Sequence, residues 1–197
     1  MDFEQTQHLT GLRLAPYIQV ATYLIGKSRE GGGNMFRHQL DTMSILIDYK
    51  YIDSVLLKAS LVHDLLEDIP DFNHNVLLSI DYESHAVYDL VMEVSRRSGE
   101  SKPEFLTRIK ESGSQNAKIL KVADRISNMI SLGFVNNLEF VERYINETEN
   151  YILPVASEVN YNMLTELTDL VASRRKYLKD FRQVSYKSET TDSTDFF

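Results

Sequence analysis

Long segments with helical periodicity, and few residues that would break them, place the strongest constraint on how this chain folds. SKPE at 101–104 is typical of a helix start and predicts a helix over 102–111. The 197 residues include only 8 glycines and 4 prolines, few for a β-sandwich with many turns. The sequence therefore predicts an all-α fold, a helical bundle. Apolar side chains recur at helical spacing through further segments at 15–25, 37–50, 53–68, 84–97, 115–133, 137–153 and 159–182.

Composition limits the organisation and the partners. An apolar fraction of 43% supports one domain, predicted over 1–183, followed by a polar tail at 184–197 that is predicted to be disordered. The formal net charge of −8 argues against a nucleic-acid partner. No signal peptide or membrane-spanning segment is apparent, and cysteine is absent, so we expect a cytoplasmic protein without a membrane partner. The oligomeric state does not follow from the sequence.

The stretch LVHDLLEDIP, residues 61–70, interrupts an apolar run with four polar side chains. At ~100° per residue, His63, Asp64, Glu67 and Asp68 share one side of a helix and apolar residues cover the other. A solvated acidic face would give the same pattern. The adjacent imidazole and carboxylate, however, can both bind one divalent metal ion, and the two carboxylates a turn later could act on water.

A second polar stripe lies in KILKVADRISNMISL, residues 118–132. Asp124, Asn128 and Ser131 fall within a narrow arc of this otherwise apolar helix, which suggests a polar pocket. A solvated stripe is the alternative interpretation. His38, in MFRHQLDT, opens the helix that precedes the His63 segment and is a candidate to complete a metal site.

These residues together form an H…HD…D pattern, which resembles that of the HD-domain metal-dependent phosphohydrolases. HDLLED and KVADRISNM are similar to two motifs of the RelA/SpoT-type hydrolase domain, and the resemblance covers about residues 16–160. Arg29 precedes His38 by nine residues, the interval at which that family places a substrate-binding arginine. The matching positions of the H…HD…D pattern are His38, His63, Asp64 and Asp124.

The resemblance implies an HD-domain helical bundle with a bound Mn²⁺. It also implies hydrolysis of the 3′-pyrophosphate of guanosine tetra- or pentaphosphate, giving GDP or GTP and pyrophosphate. The four residues of the pattern would bind the metal, while Glu67 and Asp68 would orient or deprotonate water. The candidate contacts to the nucleotide substrate are Lys27, Arg29, Asn128, Ser131 and Tyr144. Arg125 is a further candidate cation for the substrate phosphates.

The sequence departs from the family pattern in the loop before the first histidine. EGGGNMFRHQ has no proline after His38 and no aromatic residue at the family's tyrosine position, and Ser131 replaces a threonine. Three interpretations therefore remain: a guanosine alarmone hydrolase, an HD phosphohydrolase for another nucleotide (an adenosine alarmone or a nucleoside monophosphate), and a non-catalytic helical module with a structural metal. Intact Glu67 and Asp68 argue against the third, because a structural metal needs no water activators.

Overall fold

The fold is a bundle of α-helices, as predicted. The computed structural model describes the backbone of residues 1–191 and the side chains of residues 1–182, and that part contains no β-strand. The helices are α1 (Phe3–Gly11), α2 (Ala15–Ala21), α3 (Met35–Asp48), α4 (Ser54–Ser60), α5 (Leu65–Asp68), α6 (His74–Leu78), α7 (Ser84–Val94), α8 (Lys102–Ser112), α9 (Gln115–Ser131), α10 (Leu138–Glu147), α11 (Leu153–Val159) and α12 (Tyr161–Thr191).

Side-chain caps fix where many of these helices begin. The predicted capping box of α8 is present: Glu104 Oε2 accepts from the Ser101 backbone N–H at 2.8 Å, and Ser101 Oγ accepts from the Glu104 backbone N–H at 3.4 Å. A single side-chain oxygen caps α3, α4, α6, α9 and α10. The capping residues are Asn34, Asp53, Asn73, Ser114 and Asn137.

Helix α9 lies at the centre of the bundle. It packs against α3, α7, α11 and α12, and every side chain over 119–127 is buried, so the middle of the helix is covered on all sides. The polar residues there are interior as well: Lys121, Asp124, Arg125 and Ser127 are all buried. The solvated-stripe interpretation of this segment is wrong.

The predicted helix over 53–68 is broken by a tight turn at 61–64. Three backbone hydrogen bonds here join residues only three positions apart: the N–H groups of Leu61, Val62 and Leu65 donate to the carbonyls of Lys58, Ala59 and Val62, respectively. The His63 ring Nδ1–H also donates to the Ser60 carbonyl at 2.8 Å. A side chain thus occupies a carbonyl that a backbone N–H would accept from in a continuous helix. Because of the break, His63 and Glu67 do not share one continuous helix face.

Other differences lie at short or terminal elements. Helices α1 and α6 were not predicted; they are short, and α1 buries no side chain. Helix α12 continues to Thr191, into the region predicted as a tail, while residues 192–197 lie outside the described part. The predicted disorder of 184–197 therefore stays a prediction. Within the described residues, no helix is long and apolar enough to cross a membrane.

A buried ion cluster ties α2 and α4 to the turn before α7. The Lys58 side chain, 3% exposed, forms ion pairs with Asp81 at 2.8 Å and with Glu83. The Tyr17 hydroxyl donates to Asp81 at 2.9 Å, and the Ser54 hydroxyl donates to Glu83 at 2.7 Å. Each charge in the cluster is thus paired and hydrogen-bonded, as burial requires.

We expect Lys58→Met to lower the free energy of unfolding by about 3–5 kcal/mol, because it leaves two adjacent carboxylates without their cation. The matched control is Lys118→Met, which removes an ion pair with the half-exposed Glu158 and should cost about 0–1 kcal/mol. Urea unfolding of both variants at the same metal content measures the difference. Equal losses would contradict the structural role of this cluster.

Candidate metal centre

The four residues predicted to bind metal converge at one point, although they come from three separate segments. His38 lies on α3, His63 and Asp64 on the turn between α4 and α5, and Asp124 on α9. His38 Nε2 is 3.0 Å from Asp124 Oδ1 and 3.4 Å from Asp64 Oδ2. His63 Nε2 is 3.7 Å and 3.2 Å from the same two oxygens. One ligand atom from each of His38, His63 and Asp124 lies within 4.8 Å of the others.

Both imidazole rings are held by a hydrogen bond at Nδ1, the ring nitrogen that faces away from the two carboxylates. His38 Nδ1 lies 2.8 Å from Ser127 Oγ, and His63 Nδ1–H donates to the Ser60 carbonyl at 2.8 Å. These contacts leave both Nε2 atoms facing the two carboxylates, an arrangement typical of metal-binding histidines. His63 Nε2 is buried and forms no hydrogen bond, so it can bind an ion that displaces its proton.

Each carboxylate is also held from outside the cluster. Lys121 Nζ donates to Asp124 Oδ2 at 2.6 Å, and Asn128 Nδ2 donates to Asp124 Oδ1. Gln39 Nε2 donates to Asp64 Oδ2 at 2.9 Å. The contact of Lys121 with Asp124 can be expected from the sequence, because Lys121 lies one turn earlier on the same helix. No sequence pattern indicates the contact of Gln39 with Asp64.

The pKa values show how strongly these charges interact. Burial alone would raise the pKa of Asp124, but the Lys121 charge and the histidines hold it well below its usual range. Burial would lower the pKa of His63, yet the charges of Asp64 and Asp124 and the bond to Ser60 raise it to about 9. The cluster therefore favours positive charge at the point where the histidines and aspartates meet.

The donor set fits a divalent cation. Two imidazole nitrogens and two carboxylates suit borderline to hard ions such as Mn²⁺, Fe²⁺ or Zn²⁺. The buried, unpartnered His63 Nε2 and the surplus of negative charge are the two features of this structure that such an ion would satisfy.

The two predicted water-activating residues have different surroundings. Asp68 is partly buried, and burial together with the charges of Asp64 and Glu67 raises its pKa to about 6, while Lys27 acts in the opposite direction. Glu67 is exposed and accepts a hydrogen bond from the Arg96 backbone N–H through Oε1. The charge of Asp64 thus acts on Asp68, whereas Glu67 is hydrogen-bonded to the segment after α7.

Three of the predicted substrate contacts meet beside the cluster. Arg29 Nη2 donates to Asn128 Oδ1 at 2.5 Å, and Arg29 Nη1 donates to Ser131 Oγ at 3.4 Å. Since Asn128 also donates to Asp124, hydrogen bonds connect Arg29 to a metal-binding candidate. The loop reaches α9 by a sharp turn in which Gly32 and Gly33 have φ values of 80° and 83°, which favour glycine.

Tyr144 and Lys27 lie apart from that group. Lys27 is exposed, and its charge acts on Asp68. Tyr144 is partly buried on the wall of a cavity of about 900 Å³, and burial raises the pKa of its phenol to about 12, so it remains a hydrogen-bond donor at neutral pH. Other residues that line this cavity include Glu30, Arg96, Lys102, Arg143 and Tyr151.

Arg125 had been a candidate phosphate-binding cation, and the structure argues against that role. Its side chain is fully buried, with the guanidinium carbon 3.9 Å from the centre of the Tyr144 ring. It also donates to Thr148 Oγ1 at 3.2 Å and lies 3.7 Å from Glu147. Arg96 and Lys102, which line the cavity, are cations that the sequence analysis missed.

The fold and the site define a class: an all-α domain with an interior cluster of two histidines and two aspartates that could hold a divalent cation. No protein-family model matches the chain. It is 27% identical over 170 residues to a probable guanosine-3′,5′-bis(diphosphate) 3′-pyrophosphohydrolase of Mycoplasma genitalium, covering 78% of this chain and 23% of that protein. The Mycoplasma pneumoniae protein of the same description is 29% identical over 160 residues, covering 73% and 21%.

A solved structure supports the same fold. The chain superposes with a TM-score of 0.70, at 22% identity, on a metazoan orthologue of SpoT described as hydrolysing ppGpp, over 82% of this chain and 94% of that one. The predicted resemblance to the RelA/SpoT-type hydrolase domain and the predicted all-α fold are therefore confirmed. The chain spans less than a quarter of the length of the two Mycoplasma relatives.

We expect the purified protein to bind about one divalent ion per chain and to gain thermal stability from it. At an Mn²⁺ concentration of ~100 Kd the gain should be about 2.7 kcal/mol. His63→Ala should lose both effects, whereas His74→Ala, which changes an exposed histidine on α6, should keep them. Elemental analysis and thermal unfolding with and without chelator provide the measurement. Unchanged occupancy in His63→Ala would show that the ligands are misassigned.

Proposed function

We propose that this chain hydrolyses the 3′-pyrophosphate of guanosine tetra- or pentaphosphate, using a divalent ion held by His38, His63, Asp64 and Asp124. The observation that carries the proposal is the chain of hydrogen bonds from Arg29 through Asn128 to Asp124. This chain of bonds supports the proposal because it connects Arg29, a cation able to bind phosphate, to a carboxylate proposed to bind the metal. The substrate is proposed from the similarity to the two Mycoplasma proteins, and Mn²⁺ is the ion we propose.

The reaction adds water to the phosphorus bound to the ribose 3′ oxygen. The bond from that phosphorus to the 3′ oxygen breaks, and the 3′ oxygen gains a proton. The products are pyrophosphate and GDP or GTP. A bound divalent ion lowers the pKa of water and screens the phosphoryl charge. The protein must then position the substrate, accept the water's proton and balance the phosphates with cations.

Asp68 and Glu67 are the residues we assign to water. Asp68 has a pKa of about 6, close enough to neutral pH for an effective proton acceptor. Glu67 uses Oε1 for its bond to Arg96, and Oε2 remains to orient water. Both residues follow directly from the turn that carries His63 and Asp64, so their positions depend on that turn.

The substrate contacts form two groups around the cluster. Arg29 and Ser131, joined by their hydrogen bond, lie on the glycine-loop side. Lys27 lies on the side of Asp68, where it would offset the negative charge that the two water-activating carboxylates present to a phosphate. Asn128 and Tyr144 would donate hydrogen bonds to sugar or phosphate oxygens. In this arrangement one cation, Arg29, would contact the nucleotide from the glycine-loop side and the other, Lys27, from the side of the water-activating carboxylates.

Product analysis tests the proposal directly. With guanosine tetraphosphate and Mn²⁺ we expect pyrophosphate and GDP in equal amounts, and no orthophosphate. The adenosine counterpart and a nucleoside monophosphate are assayed in parallel, because the altered loop before His38 leaves the base preference open. Release of single orthophosphates, or hydrolysis of only the monophosphate, would contradict the proposal in favour of a different HD phosphohydrolase.

We expect kcat/KM to fall as the pH drops below about 6, because protonated Asp68 cannot accept a proton. A bound cation offsets the Asp64 charge, so the midpoint should lie at or below that value. Asp68→Asn should lower kcat by ~10²-fold or more and remove this acid limb from the residual activity. Asp71→Asn, at an exposed position nearby, is the control. An unchanged acid limb in Asp68→Asn would assign it to another group.

A further inference from the structure

Gln39 contacts the metal centre although it is not one of the assigned ligands. Its side chain is fully buried on α3, next to His38, and Nε2 donates to Asp64 Oδ2 at 2.9 Å. The same oxygen lies 3.4 Å from His38 Nε2 and 3.2 Å from His63 Nε2. Gln39 therefore touches the carboxylate at the atom that faces both histidines.

The other end of the amide is a second, independent observation. Gln39 Oε1 is buried and has no hydrogen-bond partner. A buried acceptor without a partner destabilises the fold, and an apolar side chain of similar volume would avoid that loss. Packing alone therefore does not account for a glutamine here. The contact with Asp64 is what the amide provides and an apolar side chain could not.

The two aspartates of the cluster are held by donors of different charge. Asp124 receives its outer hydrogen bond from the Lys121 ammonium, which cancels the carboxylate's charge. Asp64 receives its bond from a neutral amide, which fixes the carboxylate and leaves its charge in place. A second cation at position 39 would weaken the attraction for a metal ion, and no donor at all would leave Asp64 free to turn away.

We propose that Gln39 is a positioning residue for Asp64, whose buried amide holds the carboxylate towards the two histidines and so sets the affinity of the cluster for a divalent cation. The inference rests on the metal site proposed above. It concerns a contact particular to this chain, because proline, the residue that the family resemblance leads one to expect after His38, has no donor to offer. Residues that hold metal ligands in place typically change metal affinity ~10–100-fold when they are replaced.

The test uses Gln39→Met, which keeps the length of the side chain and removes both the donor and the unpartnered acceptor. Metal-free protein is titrated with Mn²⁺ by calorimetry. We expect Kd to rise ~10-fold or more, while the melting temperature of the metal-free protein stays the same or increases. The control is Thr42→Val, one turn further along α3, where a buried hydroxyl bonds only the His38 carbonyl. Its Mn²⁺ affinity should not change.

A double-mutant cycle with Asp64→Asn isolates the contact. In that background Gln39→Met should cause no further loss of Mn²⁺ affinity, and additive losses would overturn the inference. Should the methionine variant not fold, Gln39→Asn, whose amide is one methylene too short to reach Asp64, should show the same loss. If the wild-type protein binds Mn²⁺ and the Gln39 variants bind it equally well, the role of Gln39 is refuted and the metal site stands. If the wild-type protein binds no Mn²⁺, the metal site is overturned as well.

Discussion

The ion pair between Asp124 and Lys121 is the interaction on which the rest of the structure depends. Asp124 is 4% exposed at the centre of the bundle, and an unpaired carboxylate there would be protonated or would destabilise the fold by several kcal/mol. Lys121, one turn earlier on α9, neutralises one oxygen and leaves the other to His38. Because this pair sits on α9 itself, the helix can be buried on all sides and still present a charged ligand to its neighbours.

That placement makes α9 a link between the metal centre and the substrate loop. Asn128, one turn after Asp124, donates to the Asp124 carboxylate and accepts from Arg29. The loop is thereby fixed relative to the metal ligands by a single side chain, and Ser131, a further turn along, adds a second contact. A change in the loop that displaced Arg29 would also remove one of the hydrogen bonds around Asp124. The proposed substrate contact Arg29 and the proposed metal ligand Asp124 are for this reason coupled through Asn128.

Periodicity was sufficient to predict the long helices α3, α7 and α9. The family resemblance was sufficient to group His38, His63, Asp64 and Asp124, which lie together in the structure, and their role as metal ligands stays a prediction. The turn at 61–64 could not be predicted from the apolar pattern, which continues through it; a side-chain bond to the Ser60 carbonyl accompanies the break. Gln39 could not be predicted because its partner is 25 positions away. Arg125 was misjudged because an arginine beside an acidic stripe suggests a surface cation, whereas its planar group stacks on Tyr144 in the interior.

Arg125 also shows how the cavity wall is tied to the metal. It is the next residue after Asp124, so its side chain leaves α9 in a different direction, towards α10. There it stacks on Tyr144 and donates to Thr148, the first residue of a π-helical turn that runs to Ile152. The wider π-helical turn breaks the regular helix spacing at this contact, a feature often found at functional sites. Two consecutive residues of α9 thus contribute to two parts of the molecule: Asp124 belongs to the candidate metal cluster, and Arg125 packs against Tyr144 on the cavity wall.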